Sequence, residues 1–430
     1  GDKNNWGPRV GFAYRPTSDN RTVIRAGYGV YYNFNPTYVG GRDDVLNPPW
    51  VGGLGGFSGA NYLTQLSGNI TSSYLPDITF SDPFPTKLQS ISGASKNPTL
   101  YAMQRDFKSA VVQQWNLTLE RQFTEDWAFR ATYAGSQTHH LQWFFSDINV
   151  PTKQTPNVTL QNQRPYQPWA SILTTRSGAW QNFNQLQLEA TKRFSQGLLF
   201  QLEYQWTRSL DNADYVYGPM IPEKPQLDCG NSAGIRRHIL TFHYVYELPI
   251  GRGKQLLGGM NKFADAVIGG WQLSGITNYS TGAPFSVGFQ VPSSYVGWWS
   301  SNNRSDVVAC SDFHAGQGSG HDIINGIQWF NVNAFAPAQP WTWGNSARNL
   351  LFGPGSWNWD MSLAKNFGIR EGIKLQLKAD FLNAFNHFNL GNPTTTIADT
   401  RDGGSPIPTS GRITGGSGSR VVQVGARLSF

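Results

Sequence analysis

The segment Ser419-Arg420-Val421-Val422-Gln423-Val424-Gly425-Ala426-Arg427-Leu428-Ser429-Phe430 decides how this chain is read. At a period of two, one side carries Val422, Val424, Ala426, Leu428 and Phe430, and the other Gln423, Gly425, Arg427 and Ser429. Successive side chains of a strand point to opposite faces, so strict alternation describes a strand with one apolar and one polar side. A tilted strand of ~10 residues also crosses the hydrocarbon core of a bilayer.

Composition narrows the class. Of 430 residues, 14% are charged and 14% aromatic, and 47 are glycine. Mean hydropathy is −0.40. No apolar run of 18 residues is present, which excludes a conventional spanning helix. Low charge, many aromatics and modest hydropathy suit a membrane barrel, in which apolar and polar residues alternate and average out. The net charge of +7 is scattered, without the basic block or module of a nucleic-acid binder. Cys229 and Cys310 both fall in loop-like sequence. Outside the cytoplasm they permit one disulfide, and they are equally compatible with free thiols. No signal peptide opens the chain and residue 1 falls directly before strand-like sequence, the pattern of a piece of a longer protein.

The terminal pattern recurs upstream. Val10, Phe12 and Tyr14 alternate with Arg9, Gly11 and Ala13, and after the Pro16–Asn20 turn Ile24, Ala26, Tyr28, Val30 and Tyr32 alternate with Arg25, Gly27, Gly29 and Tyr31. Beyond a Gly/Pro/Asn/Ser-rich stretch (34–108), strands are expected over Val111–Phe123 and from Trp127 through Tyr133, joined by Thr124-Glu125-Asp126. A long loop is expected over 137–181, with a strand extension within it near Trp169–Arg176. The apolar set Leu186, Leu188, Ala190 is followed, across Ser195-Gln196-Gly197, by Phe200, Leu202, Tyr204 and Trp206. Leu240 through Leu248 form a seventh strand. Leu256, Met260, Phe263 and Val267 then recur at helical spacing and predict a short amphipathic helix at the membrane edge. Trp271–Thr281 is the eighth strand, and a long irregular region follows to about Gly355. The ninth strand, with Trp357, Trp359, Met361 and Leu363, ends in a turn at Gly368-Ile369-Arg370-Glu371. Its partner carries Leu375, Leu377, Ala379 and Phe381, and the loop Asn386–Gly418 leads to the terminal strand.

These are about eleven spanning strands with alternating short and long connections, the pattern of short periplasmic turns and long external loops. A soluble sandwich or propeller would also alternate, but its strands average five or six residues. Here many are longer, and aromatics such as Trp127, Tyr133, Trp206, Tyr246, Trp271 and Trp357 sit near their ends, as in headgroup-level girdles. The fold class is all-β: a transmembrane antiparallel barrel with long extracellular loops.

Several stretches together resemble one family. They include Asn5-Trp6-Gly7-Pro8-Arg9-Val10-Gly11-Phe12-Ala13-Tyr14, Ile24-Arg25-Ala26-Gly27-Tyr28-Gly29 and Gln114-Trp115-Asn116-Leu117. Further matches are Arg208-Ser209-Leu210-Asp211, Gly270-Trp271-Gln272-Leu273-Ser274-Gly275, Lys365-Asn366-Phe367, Phe381-Leu382-Asn383-Ala384-Phe385-Asn386-His387 and terminal Phe430. The whole chain resembles the C-terminal part of TonB-dependent outer-membrane transporters of the Oar-like group, which carry a carboxypeptidase-regulatory-like domain. The resemblance implies a Gram-negative outer-membrane location and a 22-strand barrel, of which residues 1–430 supply about half, with plug and N-terminal domains elsewhere. It implies outer-membrane lipid, the TonB complex acting through the plug, and an unidentified substrate as partners. It names no cofactor, no nucleic acid and no enzymatic activity. A passive porin-like channel and a secreted carbohydrate-binding β-protein are the alternatives.

Candidate residues follow from this frame. Arg25, Arg130, Gln187, Glu203, Gln376, Asp380 and Arg427 lie on polar faces and are expected to line the lumen and meet the plug. Tyr295, Trp298 and Trp299, with Trp329, Trp341 and Trp343, either grip a substrate near the barrel mouth or build the loop's own core. Phe430, by resemblance to outer-membrane proteins, is the residue read by the barrel-assembly machinery. Asp211, Asp214, Asp228, Asp399 and Asp402 are hard-oxygen groups without ordered Ca²⁺-ligand spacing, read as solvated loop carboxylates.

Overall fold

The computed structural model describes residues 5–33, 97, 99–212, 218–292, 295, 303–309, 313, 326–370 and 372–430. Eleven strands, each paired with its sequence neighbour, form one antiparallel path. They are β1 (Arg9–Tyr14), β2 (Thr22–Asn33), β3 (Ala110–Gln122), β4 (Trp127–Asp147), β5 (Ile172–Ser195) and β6 (Leu198–Asp211). The path continues through β7 (His238–Glu247), β8 (Trp271–Ser280), β9 (Ser356–Arg370), β10 (Ile373–Leu382) and β11 (Val421–Ser429). Two short segments join the sheet off this path: Leu100–Met103 runs parallel to the start of β5, and Gly230–Asn231 pairs with the end of β6. Among the described residues β1 and β11 do not pair with each other, so the sheet is open.

Register converts the alternation into two continuous surfaces. One row runs Tyr14, Ile24, Leu119, Ala131, Leu188, Tyr204, Leu240, Tyr279, Trp357 across nine strands. The neighbouring row on the other side runs Glu120, Arg130, Glu189, Glu203, Thr241, Asn278, Asn358. The period of two makes this segregation cooperative, because a slip of one residue would invert a whole strand.

The apolar surface is not folded into a core. Tyr28, Leu117, Leu119, Tyr133, Leu377, Val422, Val424 and Leu428 are all exposed. The buried apolar cluster lies instead in the long connections, where Val287, Phe330, Ala334, Phe335, Leu351 and Ile397 pack together. A soluble sandwich would show the reverse.

Turn chemistry sets the short connections. The β5–β6 link is two residues, Gln196 (φ 50°) and Gly197 (φ 79°), the left-handed pair that matches strand twist in a tight hairpin. A Cβ on Gly197 would sit 2.9 Å from the Glu247 carbonyl oxygen, so glycine is required there. Between β3 and β4 the Thr124 hydroxyl accepts from the backbone N–H groups of Asp126 and Trp127.

Three sequence expectations need correction. The 137–181 loop is nearly half strand: β4 continues to Asp147, and β5 begins at Ile172, within the extension expected near Trp169–Arg176. Register shifts between Thr138 and Ser146 break the period there, which hides the strand from a pattern of two. The helix over Leu256–Val267 is shorter, Lys262–Ile268 (α1), and excludes Leu256 and Met260. Glycines at 251 and 253 and Leu257 take positive φ before it, and the Asn261 side chain caps it through the Ala264 N–H. The turn placed at Gly368–Glu371 falls later, because β9 bulges between Gly368 and Arg370 and Gly372 (φ 84°) supplies the left-handed position.

Candidate functional site

The polar surface of the sheet carries all seven sequence-selected lining residues. On β2 to β5 a charge ladder crosses the strands. Arg25 donates to Glu120 at 2.5 Å, and Arg130 donates to Glu120 at 3.2 Å and to Glu189 at 2.9 Å. Glu189 and Glu203 face each other in register, and like charges so placed repel. Separate amides meet them: Gln201 donates to Glu189 at 3.1 Å and Gln205 to Glu203 at 2.6 Å. Gln187 donates to Gln185 at 2.5 Å. On the far strands, Asp380 is 2.9 Å from Lys378, Gln376 donates to Asn366 at 3.0 Å, and Arg427 stands opposite Gln376 in register. Half-exposed pairs of this kind contribute about 0–1 kcal/mol each, so the ladder orders the surface more than it stabilises it. A concavity of about 500 Å³ opens on β7–β11, where Val245, Ile276 and Leu382 interrupt the polar pattern beside His243, Asp360 and Asp380.

The long connections form a second polar system above one end of the sheet. Arg304 donates to Asp228 at 2.6 Å and to the carbonyls of Ser346 and Leu227 at 2.8 Å. Arg348 is bound to the carboxylate and carbonyl of Asp211 and, at 2.8 Å, to the Asp228 carbonyl. Burial pushes the Arg348 guanidinium down to about 10, so it stays charged at any physiological pH. These two arginines bolt the 281–355 connection to the 212–237 connection and to the end of β6. Arg164 closes the 148–171 connection onto Asp147 at 3.2 Å, and Arg401 holds Asp399 at 2.6 Å. Asp211, Asp228 and Asp399 are therefore buried ion-pair partners rather than solvated carboxylates; Asp214 lies outside the described residues. Among those residues no group of His, Cys, Asp and Glu is arranged to hold a metal ion. Sequence reading missed the arginines, since nothing local marks a loop arginine whose partner is 76 or 137 residues away.

The motif Phe381–His387 is a corner that ties β10 to β11. Asn383 is buried with φ 50°, donates to the carbonyls of His387 and Gly418, and accepts from the His387 N–H at 2.9 Å. Asn386 accepts from the Arg420 N–H at 3.1 Å. Of the loop aromatics, Tyr295 meets Trp341 edge-on at 5.4 Å, and the Trp329 indole donates to the Phe352 carbonyl. Trp298 and Trp299 lie outside the described residues, as does Cys310. Cys229 is exposed, yet partial desolvation of its thiol and the adjacent Asp228 raise its pKa. Phe430 closes the apolar side of β11 and is exposed.

With the two-faced sheet and its loop cap in view, comparison with known proteins is decisive on one point. The family described as outer membrane beta barrel domain matches residues 1–423. The chain belongs to that family. This outer-membrane barrel wall therefore turns its apolar surface to lipid, in the outer membrane of a Gram-negative cell.

Among solved structures, the outer membrane transporter YddB of Escherichia coli is similar with a TM-score of 0.47 and 10% identity, over 99% of this chain and 40% of its own. The ferripyoverdine receptor of the Pseudomonas aeruginosa outer membrane gives 0.44 and 9% identity, over 99% and 33%. BauA, the ferric preacinetobactin receptor of Acinetobacter baumannii, gives 0.43 and 9%, over 99% and 36%. The chain thus spans two fifths or less of the length of these structures. No curated protein matches it.

Proposed function

We propose that this chain is one half of the barrel wall of a TonB-dependent outer-membrane receptor of the Oar-like group. The observation that carries the reading is the pair of open edges. Every residue of β1 and of β11 is exposed, at the two ends of an eleven-strand path. Unpaired edge backbone cannot be left in hydrocarbon, where no water satisfies it. Further strands close the sheet, and a second set of similar number makes a 22-strand barrel. A barrel of that size has a lumen too wide for side chains to fill and holds a plug.

In this reading the Arg25–Glu120–Arg130–Glu189 ladder and Gln187, Glu203, Gln376, Asp380 and Arg427 line the lumen and meet the plug. The arginine-bolted connections capture a scarce ligand outside, and energy delivered through TonB displaces the plug. Phe430 and its strand are what the barrel-assembly machinery engages. No residue is assigned a catalytic role. The test is the conductance of the full-length protein in a planar bilayer. A plugged receptor stays closed until the plug is loosened with urea, whereas a stable open conductance in untreated protein refutes the reading and identifies a passive channel.

A further inference from the structure

Negative charge is confined to one side of the spanning wall, whereas positive charge is found on both. Glu120, Glu189, Glu203, Asp211, Glu247, Asp360 and Asp380 all fall on the inward side by register. Outside the bulged β4–β5 extension, where Asp147 is taken up by Arg164, the lipid side of the strands carries no carboxylate, but it does carry cations. At the end with the short turns these are Arg121, Lys192 and Lys365, and each is already engaged. Arg121 is 3.3 Å from Asp19, Lys192 donates to the Ser195 hydroxyl at 2.7 Å, and Lys365 is held by the Gly269 carbonyl at the end of α1.

Arg208 differs. It lies on β6 near the end with the long connections, opposite Asn184 of β5, and is exposed. It has no hydrogen-bond or ion-pair partner among the described residues. It sits just beyond a layer of tyrosines tied to polar side chains. Tyr28 reaches Gln113 at 3.1 Å, Tyr133 reaches Asn184 at 2.6 Å, and Tyr204 reaches His238 at 2.7 Å. Phenol rings with a satisfied hydroxyl mark the headgroup level. From Trp271 at one rim to Tyr279 at the other the chain advances eight residues, about 27 Å along the strand. With a tilt of about 40° this projects to about 21 Å along the membrane normal, most of the ~25 Å apolar band of such barrels. Arg208 therefore stands at the outer-leaflet headgroups, with Trp206 on the apolar side below it.

We propose that Arg208, framed by Asn184, Trp206 and the Tyr204–His238 pair, binds the phosphate of an anionic lipid of the outer leaflet. A guanidinium at that depth needs an anion, and its planar fork matches phosphate through two parallel hydrogen bonds. The wall itself offers no carboxylate there. Its neighbour Asn184 is already turned to other partners, accepting from Tyr133 and donating to Asn182 at 2.6 Å. Trp206 and the stacked Tyr204–His238 rings, 6.0 Å between centroids, provide an apolar bed for the lipid next to the charge. The inference rests on the membrane placement and stands whether or not the barrel is energised.

The test uses the full-length protein in detergent, with bisphosphorylated lipid A and its dephosphorylated form as probes and native mass spectrometry as the readout. Wild type retains the phosphorylated lipid at least about tenfold better than the dephosphorylated one, a difference of about 1.4 kcal/mol. Arg208→Gln abolishes that preference and Arg208→Lys keeps part of it, with heat-modifiable migration confirming that each variant is assembled. Equal retention of the two lipids by wild type, or an undiminished preference in assembled Arg208→Gln, overturns the proposal.

Discussion

Replacing Arg304 by methionine isolates what holds the external connections together. The substitution keeps the volume of the stem but removes three donors: one to Asp228 at 2.6 Å and two to the Ser346 and Leu227 carbonyls at 2.8 Å. Both side chains of the pair are less than a tenth exposed, 6% and 7%. Among the described residues, the Asp228 carboxylate would keep only the Met220 N–H at 2.9 Å. A buried carboxylate stripped of its cation costs about 3–5 kcal/mol, a shift of roughly two to three and a half decades in local opening. Hydrogen exchange by mass spectrometry on the assembled protein reads this directly. Peptides covering Leu227–Ser232, Asn303–Val307 and Ser346–Asn349 should exchange faster, while amides of β7 to β10 hold their protection. The double variant Arg304→Met with Asp228→Leu should regain much of the loss, because no unpaired charge is left buried. Wild-type exchange in the single variant, or a double variant no better than the single, would refute the latch.

Two further outcomes test the wall and the loop thiol. Val424→Arg places a charge on the lipid side of β11 and should lower stability by about 2–4 kcal/mol near mid-bilayer, while Arg427→Ala on the other side should change it by less than about 1 kcal/mol; urea unfolding of vesicle-reconstituted protein compares them, and equal effects would contradict the two-sided sheet. Cys229, its pKa raised by partial desolvation and by Asp228, should hold its proton at neutral pH and label with maleimide more slowly than a free thiol, the rate climbing with pH above the usual thiol range. Labelling without reductant in the oxidised outer-membrane protein would rule out a Cys229–Cys310 bridge, and labelling only after reduction would support it.

The wall was legible because its physics is local. A strand between lipid and water must alternate, so Ile24 against Arg25, or Leu188 against Glu189, reports its orientation within two residues. The same rule located all seven lining candidates on one surface without knowledge of any partner strand. Legibility ended where the period broke, at the bulges near His140 and Phe144 and in the glycine-rich lead into α1. It failed altogether for the cap. Arg304, Arg348 and Arg164 read as ordinary loop arginines, since their burial is created by chain segments distant in sequence.

Packing is distributed unevenly between the wall and its connections. The wall has almost no buried apolar side chains of its own: Ala364 is one of the few on the spanning strands outside the β4–β5 extensions. Its apolar side is stabilised by lipid, and its polar side by a half-exposed ladder worth little on its own. The connections have no lipid to lean on, and among the described residues they hold the buried apolar cluster of Val287, Phe330, Ala334, Phe335, Leu351 and Ile397. Phe330 packs between Phe285 and Phe335, with centroids 5.8 Å apart in each pair. The Arg304–Asp228 and Arg348–Asp211 pairs in the same set of connections are each less than a tenth exposed. Such a cap opens only through discrete rearrangements, because a buried Arg–Asp pair is either intact or expensively broken. A membrane-supported wall under a self-supporting cap lets the external surface vary in shape, as the proposed receptor role requires, without disturbing the register that keeps the wall in the bilayer.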